Sequence, residues 1–183
     1  MIPDSTSHFD IKEFKKKITP HDHDKVIFFT AVREPFGWLG NMSPYPLTYK
    51  GLDFRTSEHL FQWLRFDEYP HVQELIRNEK APMGSKMRAR VNRDLLQHGE
   101  YWDEHFEDFD RMRLCLQLKV EHHPNLLEML RDTGDMILIE NCSNKDRESA
   151  RFWGAVYNEE TNAWEGANVL GELWMELRAS VAA

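Results

Sequence analysis

The stretch FRTSEHLFQWLRF, residues Phe54 to Phe66, sets Leu60, Phe61, Trp63 and Leu64 into one wide apolar stripe at helical spacing. Thr56 or Ser57 in front of it is a natural N-cap. The spacing therefore predicts a helix whose first turn presents Glu58 and His59 side by side. A carboxylate there is favoured by the helix dipole whatever its use. Taken alone, Glu58 reads as structural.

Working outward, LTY and LDF flank Lys50-Gly51, a two-residue link in which glycine supplies the positive φ of a hairpin. Further upstream, VIFFTAV from Val26 is a buried strand candidate, followed by the Gly- and Pro-rich REPFGWLGNMSPYP. Downstream, Pro70 breaks the helical pattern and HVQELIRN restarts it with Val72, Leu75 and Ile76. In APMGSKMRARV, Met83, Met87 and Val91 share one face at i,i+4 spacing while Lys86 and Arg90 share another. That pattern predicts a helix packed along its methionines, with a cationic pair at the edge of a cleft. RMRLCLQLKV is amphipathic, and PNLLEMLRDTG opens with Pro124 and closes with Gly134. MILIE, Met136 to Glu140, is a short buried strand. The last helix runs through NVLGELWMELR, with Val169, Leu170, Leu173, Trp174 and Leu177 facing the core. The fold class expected is α+β: a single, mainly helical domain with a small β-sheet over residues 25–183, behind a polar tail at 1–24.

The chain has 183 residues, 41% of them hydrophobic, which suits one cored domain and not two. Its 31 acidic and 23 basic residues leave a net charge of −8, which repels a polyanion and argues against non-specific nucleic-acid binding by the whole surface. No apolar run approaches a membrane span, and the first residues lack the apolar core of a signal peptide, so a soluble, cytoplasmic protein with no membrane partner is expected. Cys115 and Cys142 have no CxxC spacing, which suggests neither a zinc site nor a disulfide framework. His21 to Asp24, HDHD, reads as a solvated tail in preference to a metal trap. No metal and no organic cofactor is expected.

HExxH, P-loop, GxSxG and GxGxxG motifs are all missing from the sequence. What remains is polar residues in apolar or Gly-rich contexts. Lys86 beside an apolar wall would be held more readily as the free amine, as Schiff-base lysines require, or it belongs to a solvated face. Asn41 sits in a turn or a site; Trp38, Trp102 and Trp153 are core or stacking platforms. Asn168 and Gly171 interrupt a good helix face, and an inward asparagine must find partners or serve a ligand.

In their order along the chain, five blocks resemble the YbiA-like or NADAR domain family, from about Phe28 to Arg178. They are WLGNMSPYPLTYKGLDFRTSEHLFQWLRF, APMGSKMRAR, RMRLCLQLKVEHHPNLLEMLRDTGDMILIE, FWGA and WEGANVLGELWMELR. The resemblance implies an N-glycosidase acting on ribose joined to a base or amine nitrogen. Its substrate is then a nucleotide-like small molecule, ADP-ribose or a phosphoribosyl conjugate such as an intermediate of riboflavin biosynthesis, or guanine carrying ADP-ribose in nucleic acid. It further implies that Glu58 does acid/base work and that Lys86 attacks C1′ of a ring-opened ribose. By block position, Arg33 and Arg90 are expected on phosphate. Trp38, Trp102 and Trp153 stack or wall the pocket, and Asn41, Glu140 and Asn168 orient the ribose or hold residues that do; His59 matches the motif histidine and is either catalytic or a support for residues that bind the substrate. The chain departs from the family at Gly40, where Ser is frequent, and at Arg88-Ala89, where Leu-Gly follows the lysine. Ala150 stands where many members carry Asp, three residues before the Trp of Trp-Gly; Asp146 is the nearby acid. Either Asp146 substitutes or the catalytic set is reduced, and a non-catalytic ADP-ribose-binding module is the alternative. A patch of Arg88, Arg90 and Arg93 is the candidate surface for a nucleic-acid strand.

Overall fold

A computed structural model describes residues 17–18, 25–96, 101–145 and 148–182, with side chains described outside 17–18, 101–106, 145, 148 and 182. In chain order the elements are β1 (Lys17–Ile18), β2 (Val26–Phe29), β3 (Leu47–Tyr49), β4 (Leu52–Phe54), α1 (Ser57–Leu64), α2 (Pro70–Asn78), α3 (Pro82–Val91), α4 (Tyr101–His122), α5 (Pro124–Asp132), β5 (Ile137–Glu140), α6 (Glu148–Trp153), β6 (Val156–Asn158), β7 (Ala163–Glu165) and α7 (Val169–Ala182). The protein is mainly helical with small sheets, as expected from the sequence.

β3 and β4 form the expected hairpin, with Lys50 at φ 49° and Gly51 at φ 75°. Two consecutive positive φ values give the turn the twist that matches its strands. β2 runs parallel to β5, Val26 opposite Ile137 and Phe29 opposite Glu140. A third sheet, in the order β1-β7-β6, is antiparallel throughout. Its strands VYN and AWE carry no clear alternation and were not expected. Lys17 and Ile18, placed by the sequence in a polar tail, pair with Glu165 and Trp164 of β7.

The main core lies between α1, α4, α5, α7 and the two-stranded sheet. Trp174 of α7 is fully buried; its indole N–H donates to Leu39 O at 2.8 Å, and its ring meets Trp38 edge-on at 5.8 Å. This satisfies the one polar atom that burying an indole would otherwise strand. Gly171 lets α7 lie directly on β5: a Cβ there would stand 2.1 Å from Leu138 O. The interruption seen in the sequence is thus a close approach of helix to strand.

α3 overturns one expectation. Its buried residues are Ser85 and Ala89, while Met83, Met87 and Val91 are 49%, 46% and 75% exposed. The small residues let α3 pack closely on α1 and α2, over the cluster of Phe66, Val72 and Ile76. The methionine stripe therefore faces outward, and it provides no buried wall beside Lys86.

Candidate active site

α1 begins as the sequence predicts. Thr56 is extended (φ −153°, ψ 164°), and its Oγ1 accepts from the His59 backbone N–H at 3.4 Å. The buried rings of Phe54 and Phe61 and the buried Leu60 fix the apolar side of the helix against the core. That leaves Glu58 in the first turn, 5% exposed, where the helix dipole supports its negative charge.

Two side chains meet this carboxylate, and a loop holds its backbone. The Gln62 amide, one turn on, donates to Glu58 Oε1 at 2.9 Å. Lys86 Nζ of α3 stands 4.0 Å from the same oxygen, its side chain half exposed. The Glu58 backbone N–H donates to Asn41 O at 3.0 Å, tying α1 to the loop after the 3-10 turn Gly37–Leu39. Asn41 Nδ2 in turn donates to Met112 Sδ of α4 at 3.2 Å. Ser57 Oγ, Asn41 Oδ1 and Gln62 Oε1 are buried without a hydrogen-bond partner. Buried polar atoms are nearly always satisfied in native proteins, so these three mark a place where the chain alone does not complete the bonding.

Glu58, Lys86 and Asn41, expected from the sequence, are thus brought together. Trp153 is half-buried, with its ring edge-on to Phe61 of α1 at 5.3 Å, one helical turn beyond Glu58. Arg90 is exposed one turn after Lys86 on α3, and Arg33 is exposed in the loop before Gly37. Glu140 ends β5, half-buried, its carbonyl accepting from Ala155 N at 2.9 Å. The Trp102 side chain and Asp146 lie outside the described residues, as does His21 to Asp24.

Three of the candidate side chains, for which the sequence left a supporting or core place open beside a ligand one, are packed or bonded inside the protein. Trp38 is 5% exposed and packs on Trp174. His59 is fully buried, with Nδ1 bonded to Thr56 Oγ1 at 2.9 Å and Nε2 to Glu79 O at 3.1 Å. Burial is the main influence on its imidazole and pulls the pKa below the usual value. His59 therefore joins the start of α1, which carries Glu58, to Glu79 at the end of α2, in the short link that leads into α3 and Lys86. Asn168 is fully buried at φ 52°; its Oδ1 accepts from Glu140 N at 3.0 Å and its Nδ2 donates to Leu138 O at 2.8 Å. It holds β5 against the start of α7.

Two residues escaped the sequence reading. Gln62 had a signal, since it follows Glu58 at i,i+4 on a helix. Lys119 also had one: it falls on the buried stripe of α4, four residues after Cys115 and three after Leu116. It is fully buried, and burial pulls its pKa down to about 7. Its Nζ lies 5.2 Å from the Tyr45 ring and 5.6 Å from the Trp174 ring.

Among the described residues, no group of three or more His, Cys, Asp or Glu is placed to hold a metal ion, and no helix is long and apolar enough to cross a membrane. A groove of about 310 Å³ beside α4 and α7, lined by Phe109, Val169, Leu173 and the glutamates Glu172 and Glu176, shares no lining residue with the Glu58 cluster.

The model of the NADAR domain matches residues 27–182 of the chain. N-glycosidase YbiA of Escherichia coli is 31% identical over 160 residues, covering 87% of this chain and 90% of that protein. A riboflavin biosynthesis protein of Vibrio vulnificus is 28% identical over 155 residues, covering 85% of this chain and 38% of that protein. The NMR structure of the E. coli protein YbiA superimposes with a TM-score of 0.65 at 28% identity, covering 92% of each chain.

Proposed function

The chain belongs to the NADAR domain family and is an N-glycosyl hydrolase, and from that premise we propose that it cleaves the C1′–N bond of a ribose phosphate conjugate, with Glu58 as acid/base and Lys86 as nucleophile. The observation that carries the proposal is the approach of Lys86 Nζ to within 4.0 Å of the buried Glu58 carboxylate. An acid shielded from water and an amine reachable from it are the two groups this bond cleavage asks for.

In the proposed sequence the conjugate reacts with its ribose ring opened. The Lys86 amine attacks C1′; one of its protons and one from Glu58 pass to the departing nitrogen, and the C1′–N bond to the leaving group breaks as a protonated C1′–Nζ imine forms. Glu58, now a carboxylate, takes a proton from water as its oxygen adds to C1′. Collapse of that adduct returns the Lys86 amine and frees the ribose aldehyde. The sum is conjugate plus water giving ribose phosphate and the free amine. Asn41 and Gln62, each with an unmet oxygen beside Glu58, are the proposed acceptors for ribose hydroxyls. Trp153 walls the pocket, Arg33 and Arg90 take the phosphate, and Glu140 supports the site from the end of β5. The roles of the Trp102 side chain and Asp146 stay proposals from family resemblance alone.

Two facts favour a small phosphoribosyl conjugate over ADP-ribosylated guanine in nucleic acid: a relative is named for riboflavin biosynthesis, and the chain carries a net charge of −8. A buried carboxylate facing an exposed amine at 4.0 Å favours an enzyme over a non-catalytic ADP-ribose-binding module. A cytoplasmic setting completes the proposal.

The test incubates the purified protein with phosphoribosyl intermediates of riboflavin biosynthesis and, separately, with an ADP-ribosylated guanine oligonucleotide, following released amine, base or ribose phosphate by mass spectrometry. Release from the intermediates is the expected result. Release from the oligonucleotide alone would move the substrate to nucleic acid. Binding of ADP-ribose with no release from either would make the protein a reader.

A further inference from the structure

The last turn of α4, with Lys119 and His122, and the residue that follows it, His123, present three basic side chains that all grip one segment, residues 38–48. Lys119 Nζ donates to Trp38 O at 2.5 Å, Gly40 O at 3.1 Å and Ser43 Oγ at 2.8 Å. His122 Nε2 accepts from Thr48 N at 3.2 Å, its Nδ1–H being given to Leu118 O at 2.8 Å. His123 Nε2 donates to Pro46 O at 2.6 Å. The two histidines work from the protein surface, whereas Lys119 is fully buried.

Packing does not account for a buried ammonium. An apolar side chain of similar volume would fill the same space without the cost of stripping a charge of water. What the ammonium does, and a methionine would not, is draw three acceptors to one point. Ser43 shows the same convergence, donating its hydroxyl to Gly40 O at 2.6 Å. Those acceptors bracket Asn41 on both sides, and Asn41 O receives the Glu58 amide at 3.0 Å. The connection runs from α4 through the loop to the first turn of α1.

We propose that Lys119 is a positioning residue for the reaction: by gathering Trp38 O, Gly40 O and Ser43 Oγ it fixes the loop that places Asn41 against Glu58, and so sets both groups toward the ribose. The inference rests on the N-glycosidase reading of the Glu58 site. Lys119 makes no contact with substrate in this scheme and acts only through Asn41.

The experiment compares Lys119→Met and His123→Ala with the parent protein, measuring kcat and KM on the conjugate the parent cleaves, melting temperature, and hydrogen exchange at the Glu58 amide. Lys119→Met is expected to lower kcat by roughly 10- to 100-fold, the cost of a misplaced reacting group, with KM little changed. It should also speed exchange at the Glu58 amide. His123→Ala loosens the same segment from outside and should keep kcat within about twofold, as surface substitutions do. A folded Lys119→Met protein with parental kcat overturns the proposal. So does a fall in kcat that tracks melting temperature equally in both variants. Should Lys119→Met not fold, Ser43→Ala removes one of the three acceptors and should lower kcat in the same direction; parental kcat there overturns the idea. If the parent cleaves no N-glycosyl conjugate, the functional reading fails by itself, and exchange at the Glu58 amide still decides the positioning: faster in Lys119→Met supports it, unchanged refutes it.

Discussion

Lys86 and Glu58 belong to different helices, 28 residues apart in sequence, yet the amine of one stands 4.0 Å from the carboxylate of the other. Only the packing of α3 on α1 through Ser85 and Ala89 brings them together. If Lys86 is the nucleophile, borohydride should trap a covalent substrate adduct on the parent protein and none on Lys86→Ala. Lys86→Arg keeps the positive charge but not a usable amine, and it should trap nothing either. Because Lys86 is half exposed, neither change should alter melting temperature much. A fully active Lys86→Ala protein would remove the Schiff base.

Glu58→Gln should lower kcat by roughly a hundred- to ten-thousand-fold, the usual range for losing an acid/base group. The replacement amide oxygen can still accept from Gln62, so ligand affinity and melting temperature should stay near those of the parent. Steady-state kinetics beside a ligand titration checks this. Parental turnover in the folded variant would return Glu58 to a structural role.

His59 predicts a specific acid response. Its folded pKa lies below the ordinary value of 6.5 because burial disfavours the charged ring. Between the folded and ordinary values the unfolded chain binds a proton that the native protein does not, so stability falls as pH drops through that window and is fully present above it. Urea unfolding from about pH 7 to about pH 5 should show this slope, the window in which an ordinary imidazole titrates. His59→Gln, though less stable throughout, should show a flatter slope. An unchanged slope would mean that other groups set the acid limit.

Asn168 predicts a loss of stability with no chemistry involved. Asn168→Ala removes two buried hydrogen bonds and puts alanine in the left-handed region, which together should cost about 2–4 kcal/mol in urea unfolding. Asn168→Gly keeps the conformation at ease and loses only the bonds, so it should be the milder change. Equal losses would assign the whole effect to the carboxamide.

How far the sequence carried the fold differs from element to element. The hairpin at Lys50-Gly51, the Thr56 cap, the Pro124 start of α5 and the core face of α7 depend on neighbours a few residues away, and they were legible. α3 was not, because its period-four methionine stripe resembles a buried face and only the helices beside it favour serine and alanine instead. The strands β6 and β7 are three residues each, too short for alternation to register. At the site, Glu58, Lys86 and Asn41 came from the family resemblance, and their meeting is a tertiary fact. His59 and Asn168 fitted a ligand role equally well in one dimension; the carbonyl of Glu79 and the backbone of β5, 20 and 28 residues away, are what occupy them.

The carboxamide of Asn168 has one more effect. Accepting from Glu140 N and donating to Leu138 O, it presents to β5 the same donor and acceptor that a neighbouring strand would. β2 covers the opposite side, and Ala155 continues past Asn168 by bonding Glu140 O and Cys142 N. A two-stranded sheet would otherwise leave a bare edge, the template on which a second molecule can add a strand and begin to aggregate. Asn168 and Ala155 together satisfy that edge beneath α7 without a full further strand, so a substitution at Asn168 is expected to strand two backbone groups of β5 inside the protein.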